Sequence, residues 1–267
     1  MQSFSLKNIA RHLIVLSMVV SLSACAGMHH NADRIALDSK IADPLEPLNR
    51  GVLKFNNAVD FVILNPLAKG YNFLPGFVRK GVGNFLSNLR TPLYAANNVL
   101  QGDVGSAGVN VARFVVNTTV GVGGLVDVAA KNGLTEQPED FGQTLAVWGV
   151  GNGFYLVLPV LGPSSLRDTA GTFADAYADP VRIITFSEGE EWIYYTRGVV
   201  EGVHNRAGMI NVLEDLKTNS LDYYSALKSI YEQRRAALIR DSKYNIEESG
   251  ENQYDNYEAE FSRFEDY

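Results

Sequence analysis

Few side chains in this sequence are equipped for catalysis, and their positions work against it. Of the four histidines, His12 lies in a greasy N-terminal stretch, His29 and His30 stand side by side in a short polar segment, and only His204 falls within a long patterned region. A serine–histidine–acid triad would have to use His204, yet no G-x-S-x-G elbow occurs, and Gly105-Ser106-Ala107-Gly108 has the wrong spacing. His204 reads instead as a surface or helix-packing residue. Zinc needs several clustered His, Cys or acidic ligands, and adjacent histidines on a tether make only a weak site. Gly121-Val122-Gly123-Gly124 lacks the Lys-Ser/Thr of a phosphate loop and the full G-x-G-x-x-G spacing, so it reads as a tight turn or as backbone closely lining something. Glu188, Glu190 and Glu191 gather at a helix start, where carboxylates suit the helix dipole. The expectation is a non-enzyme with no catalytic residue, no metal site and no cofactor. Cys25 is the only cysteine, so it has no internal disulfide partner, and its neighbours must explain it.

Those neighbours read as an export signal. Lys7 and Arg11 precede an apolar or small-residue stretch from Leu13 to Ala24. Crossing a bilayer as a helix takes about 20 apolar residues, so this stretch is too short to span. Leu22-Ser23-Ala24-Cys25 resembles the lipobox of bacterial lipoproteins, in which the thiol receives diacylglycerol, the peptide is cut before the cysteine and the new amine is acylated. An ordinary secreted protein or an N-terminal membrane anchor would leave a free exported thiol unexplained. One acyl chain holds a membrane only marginally, each buried CH₂ adding ~0.8 kcal/mol, so the diacylglycerol and N-acyl chains on Cys25 together anchor stably. Ala26 stands where an aspartate would suggest inner-membrane retention in many Gram-negative bacteria, which favours the periplasmic face of the outer membrane.

The expected organisation is a signal peptide at 1–24, a tether at 25–42, a helical domain at 43–240 and an acidic tail at 241–267 without stable fold. Removing residues 1–24, which hold Lys7 and Arg11 and no acid, moves the formal net charge from −7 to −9. Most of that charge sits in the tail, and no basic stripe exists to neutralise phosphates, so nucleic-acid binding finds no support. Within the domain, Val52, Phe55, Val59, Val62 and Ile63 have helical spacing, and Asn65-Pro66 is expected to end the helix over 48–64. A second run covers 77–89. Thr91-Pro92 then predicts an N-cap with proline in the first turn of a new helix that stops at Gln101-Gly102. Further helices are expected over 104–116, between Gln137 and Trp148, from Ser165 to Asp179-Pro180, and over about 188–215 and 220–240. Between Thr119 and Pro163 glycine dominates, and glycine costs about 1 kcal/mol in a helix interior, so loops, hairpins or close approaches are expected there. Phe154 to Leu161 is almost uninterruptedly apolar, a buried core strand or a piece immersed in one leaflet; periodicity does not separate the two. The fold expected is mainly α.

Asp43-Pro44-Leu45-Glu46-Pro47-Leu48-Asn49-Arg50 resembles the opening of the MlaA (VacJ) lipoproteins. In order follow Phe55-Asn56, Asn84-Phe85 with Asn88-Leu89, Leu100-Gln101-Gly102-Asp103, Arg113-Phe114 with Asn117-Thr118, Gly121-Val122-Gly123-Gly124 with Asp127, Phe141 to Leu145, Trp148 to Gly151, Leu158-Pro159, Gly162-Pro163-Ser164 and Leu166-Arg167-Asp168. The ordered set spans about residues 43–215. The resemblance implies a ring of amphipathic helices with glycine-rich irregular central segments, seated in the inner leaflet of the outer membrane. Through its central channel, mislocalised phospholipids would leave the outer leaflet for a periplasmic carrier of the MlaC type and an inner-membrane ABC complex, with trimeric porins as scaffold. On that view Gly121, Val122, Gly123, Gly124 and Asp127, and Gly149, Gly151, Tyr155 and Leu158 within the segment to Leu161, are placed near the channel. Asp43, Pro44, Glu46, Asn49 and Arg50 are assigned to capping and packing of the first helix. Two alternatives are a tethered soluble lipid-binding chaperone and a lipoprotein hydrolase using His204.

Overall fold

The computed structural model describes residues 40–240, and the expected signal peptide, Cys25, most of the tether and the acidic tail lie outside the described residues. The chain is mainly helical. Its elements are α1 (Glu46–Val59), α2 (Asn65–Asn72), α3 (Gly76–Gln101), α4 (Val104–Thr119), α5 (Val128–Lys131), α6 (Phe141–Val147), β1 (Tyr155–Leu158), β2 (Gly162–Ser165), α7 (Leu166–Ala178), α8 (Pro180–Ser187), α9 (Glu191–Gly208), α10 (Ile210–Asn219) and α11 (Tyr223–Ile239). Contacts between them form a closed circuit: α1 on β1, β1 on β2, β2 on α7, α7 on α6, α6 on α3, α3 on α9, α9 on α2, and α2 joined back to α1. The elements make a ring, with α4 packed along α3 and α11 lying across α6 and β2.

Three helix boundaries differ from the sequence reading. Asn65-Pro66 does not end the first helix, because one π-helical turn at Asp60–Leu64 carries α1 into α2, with Asn65 N–H bonded to the Asp60 carbonyl. The wider turn makes room for the Pro66 ring, which would otherwise clash with the carbonyl four residues back. Thr91-Pro92 starts no new helix either. It lies inside the continuous α3, where the Thr91 hydroxyl donates to the Ser87 carbonyl at 3.1 Å. One buried face of α3 runs through Asn88, Thr91, Ala95 and Asn98 on both sides of the proline, and its packing on α4 holds the two halves together. Last, the expected 188–215 helix is α9 and α10, broken at Met209, and α8 precedes it. Asp179-Pro180 is both an end and a start, since Asp179 caps α8 by accepting from Val181 N–H at 2.8 Å. The expected stop at Gly102 holds: this glycine takes the left-handed conformation, φ 83°, that favours residues without a Cβ.

The glycine-rich stretch contains the β1–β2 hairpin, antiparallel with Tyr155 opposite Ser165 and Leu158 opposite Gly162. Two asparagines on α1, two turns apart, hold its outer edge. Asn49 donates to the Tyr155 carbonyl at 3.0 Å and accepts from Val157 N–H at 2.9 Å. Asn56 does the same at Leu158 and Val160, at 2.9 and 2.8 Å. The side-chain amides thus stand in for a neighbouring strand, and Asn49 satisfies backbone groups that would otherwise be buried unpaired.

Candidate functional site

Helical spacing on α4 sorts its residues in the reverse of the usual order. Ser106, Asn110, Arg113 and Asn117 are buried, whereas Val111 and Val115 are 54% and 52% exposed. The same holds around the ring. Phe61, Val62, Phe73, Phe77, Trp192 and Val199 are exposed, while the buried polar and charged side chains outnumber the buried apolar ones, half of which are alanine. Burying amides without partners is expensive, and most of the buried polar side chains are hydrogen-bonded to one another or to backbone. Asn110 donates to Asn98 Oδ1 and to the Gln137 carbonyl, both at 2.7 Å. Arg113 bonds the Leu134 carbonyl and pairs with Asp127 at 2.8 Å, and Asn117 donates to the same carboxylate at 3.0 Å. Thr144 donates to Asn97 Oδ1 at 2.9 Å, and Asn97 in turn to Asp175 at 3.1 Å.

Two adjoining cavities open within this polar interior. The larger, about 620 Å³, is lined by residues of α3, α7, α9 and α11; the other, about 570 Å³, lies between α3 and α9. They share Arg90, Tyr94, Glu201 and Asn205. Arg90 and Tyr94 are four apart on α3, and Glu201 and Asn205 four apart on α9, so each helix aims one face at the same space. Arg90 Nη2 and Glu201 Oε1 are 2.7 Å apart. Burial works against the Arg90 charge, but Glu201 and Tyr94 more than offset it and raise the guanidinium above its ordinary pKa. Burial pushes Tyr94 up and keeps its hydroxyl protonated.

Carboxylates along the larger cavity divide by partner. Burial acts to raise Asp140, yet Arg235, at 2.6 Å, overrides it and holds the group below the usual range. Asp175 accepts from Phe141 N–H and Asn97, with no cation paired to it among the described residues, and burial pushes it up. His204 lines the smaller cavity; its Nδ1 is 2.9 Å from the Tyr71 hydroxyl and the rings stack edge to face. Burial lowers its pKa, so the ring is neutral near pH 7. Among the described residues no group of His, Cys, Asp and Glu is placed to hold a metal ion.

The residues singled out in the glycine segments lie elsewhere. Gly121 and Gly124 are buried at a turn after α4, where a Cβ on Gly124 would come within 2.6 Å of Asn88 Cβ. Val122 and Gly123 are exposed at its tip, and Val122 has φ 56°. Asp127 caps α5 through Ala130 N–H and pairs with Arg113. Gly149 and Gly151 are exposed in the loop after α6, and Tyr155 is fully buried against Tyr224 and Tyr231. Leu158 ends β1. None of these lines either cavity, though Leu161, just beyond, lines the larger. Sequence reasoning missed Arg90, Tyr94, Glu201 and Asn205. Their one signal was i, i+4 spacing of polar residues, which solvated helix faces share.

At the N-terminal end, Asn49 donates to Asp43 Oδ1 at 2.9 Å, and the Tyr224 hydroxyl donates to the other carboxylate oxygen. Arg50 spans Glu46, at 2.8 Å, and Asp222, at 3.0 and 2.6 Å, and lies over the Tyr224 ring. Pro44 stands in the turn before α1. These side chains join the start of α1 to β1 and α11.

The architecture is a ring of helices with many exposed apolar side chains, a polar interior and two cavities. Among the described residues no helix is long and apolar enough to cross a membrane. The chain belongs to the MlaA lipoprotein family, which it matches over residues 41–238. It is similar to the intermembrane phospholipid transport system lipoprotein MlaA of Escherichia coli (strain K12), 34% identical over 214 residues covering 78% of this chain and 82% of that one. It is 32% identical over 234 residues to the protein of the same name from Haemophilus influenzae, covering 86% and 91%. An uncharacterized protein of Rickettsia bellii is 36% identical over 206 residues, covering 76% and 79%. A solved structure from work on the structural basis for maintenance of bacterial outer membrane lipid asymmetry superposes with a TM-score of 0.66 at 37% identity, covering 74% of this chain and 99% of that one.

Proposed function

We propose that this chain is a non-enzymatic lipoprotein that removes mislocalised phospholipids from the outer leaflet of the outer membrane and delivers them toward a periplasmic carrier. The observation that carries this reading is the inverted distribution of polarity. Large apolar side chains cover the outside of the ring, where a lipid leaflet satisfies them. Polar and charged side chains fill the inside, where a headgroup passes beside the apolar contacts its tails need. The ring sits in the inner leaflet, and the acyl chains on Cys25 hold it at the periplasmic face. The family names of its relatives support phospholipid transport as the task. The family resemblance supports trimeric porins as scaffold and an MlaC-type protein as recipient.

The passage runs through the two cavities and not through the glycine segments. Gly121 to Asp127 brace α3 and α4, and Asp43, Glu46, Asn49 and Arg50 brace α1. A soluble lipid chaperone would keep large apolar side chains off its outer faces, whereas many are exposed here. The test is deletion of the gene, read by lipid A palmitoylation and by sensitivity to SDS with EDTA. Both are expected to rise. An unchanged outer leaflet, with other transport routes also removed, sinks the reading.

A further inference from the structure

The two cavities adjoin across one ion pair. Arg90 on α3 and Glu201 on α9 are 2.7 Å apart, and both residues line both cavities. Their exposure is unequal: the Arg90 side chain keeps 45% of its surface accessible and that of Glu201 only 13%. Arg90 can therefore turn to a second partner, since its guanidinium carries several donors in a fixed fork. Glu201 is the more covered partner, so leaving it without an opposite charge is unfavourable.

We propose that the Arg90–Glu201 pair selects headgroups at the junction of the two cavities, favouring zwitterionic phospholipids over anionic ones. The inference rests on the transport reading above. A phospholipid phosphate takes the Arg90 fork in a bidentate, charge-assisted contact. The ammonium of an ethanolamine headgroup then takes the place beside Glu201 that Arg90 gives up. One ion pair becomes two, and every charge keeps an opposite. A glycerol headgroup brings the phosphate alone, so Arg90 is satisfied while Glu201 loses its partner. The wall of the larger cavity acts in the same direction, while Arg234 lines the smaller one. Asp168, Asp175 and Asp179 also face the larger cavity, and the arginines beside them are held by carboxylates, Arg197 by Asp179 at 2.8 Å and Arg235 by Asp140 and Asp168. An anionic headgroup meets like charge there, and an ammonium does not.

The test offers the full-length lipidated chain, in dodecyl maltoside, equal amounts of phosphatidylethanolamine and phosphatidylglycerol, and identifies bound lipid by native mass spectrometry. The unaltered chain is expected to hold the ethanolamine lipid over the glycerol lipid by about tenfold, the scale of one charge-assisted hydrogen bond. Glu201→Gln is expected to bring that ratio near one while total occupancy persists, and Arg90→Gln to lower the occupancy of both lipids. Equal occupancy in the unaltered chain overturns the selection, and this comparison needs no variant to fold. An undiminished preference in Glu201→Gln overturns it as well. Occupancy without preference leaves the transport reading standing, whereas an unaltered chain that binds neither lipid removes both.

Discussion

At the hairpin end of the ring, Ile41, Leu53, Tyr155, Val157 and Tyr224 pack into an apolar cluster of the ordinary kind. Between α3 and α4, the buried positions are Asn88, Thr91, Asn98, Asn110, Arg113 and Asn117 instead. The first region gains from removing apolar surface from water and would do so in any globular protein. The second gains less of that kind, its buried apolar residues being Leu86, Ala95 and Ala107. Its outward face is valine and phenylalanine, and its inward face holds together by directed hydrogen bonds that admit one geometry. Within one chain, hydrophobic burial fixes the join between α1, β1 and α11, while polar complementarity fixes the ring wall.

The most severe way to break this contrast is Arg113→Ala. It leaves Asp127 and the Leu134 carbonyl without their cationic partner in a mostly buried site, at a cost of about 3–5 kcal/mol. Leu53→Ala, in the apolar cluster, is expected to cost about 2–4 kcal/mol by opening a cavity. Asn49→Ala, at the border of the two regions, strands two backbone groups of β1 and is expected to cost about 2–3 kcal/mol. Chemical unfolding in detergent ranks the three. A polar wall that behaved as ordinary surface would put Arg113→Ala last.

Acid separates two carboxyls of the polar region. Asp140 has its pKa lowered in the folded state, with Arg235 outweighing burial, so it adds stability above the unfolded pKa near 3.8 that is lost as pH falls through the lower folded value. Asp175 is raised by burial, so the folded state holds its proton more tightly and stability declines as pH climbs through that raised value. At pH 7, Asp140→Asn is expected to lower the melting temperature and Asp175→Asn to leave it unchanged or raise it. The gap closes as pH falls through the lowered folded value of Asp140. A melting temperature lowered equally by both variants at pH 7 contradicts the assignment.

Much of the secondary structure was legible from spacing, and local capping supports it. Asp103, Asp140 and Ser165 all cap the helices that follow them, each accepting from a backbone N–H three residues on. Local rules misled wherever packing overrode them. Thr91-Pro92 has every mark of a helix start, yet α3 runs through it because the Asn88 and Asn98 sides both lie against α4. The apolar stripe of α4 was legible too, but a stripe shows amphipathicity and does not say which side faces the interior. For the same reason the cavity residues went unseen: Arg90 and Glu201 become a pair only when the ring brings α3 and α9 together.

The gentlest substitution bears most directly on which side faces lipid. Val111 and Val115 are half exposed on α4, so replacing both by serine removes no packed core. Stability in detergent is expected to change by less than about 0.5 kcal/mol, as for surface sites generally. If a leaflet covers these side chains, each replacement forfeits about 1 kcal/mol of apolar transfer, and membrane partition falls about thirtyfold. The measurement is vesicle flotation of a Cys25→Ala chain, so that acyl chains do not mask the loss. Water on the outer face predicts unchanged flotation. Leucine-to-alanine replacement at Leu53 provides the control, since it lowers stability while leaving the outer surface of α4 intact. The two variants therefore cross: one weakens the fold without weakening membrane affinity, and the other weakens membrane affinity without weakening the fold.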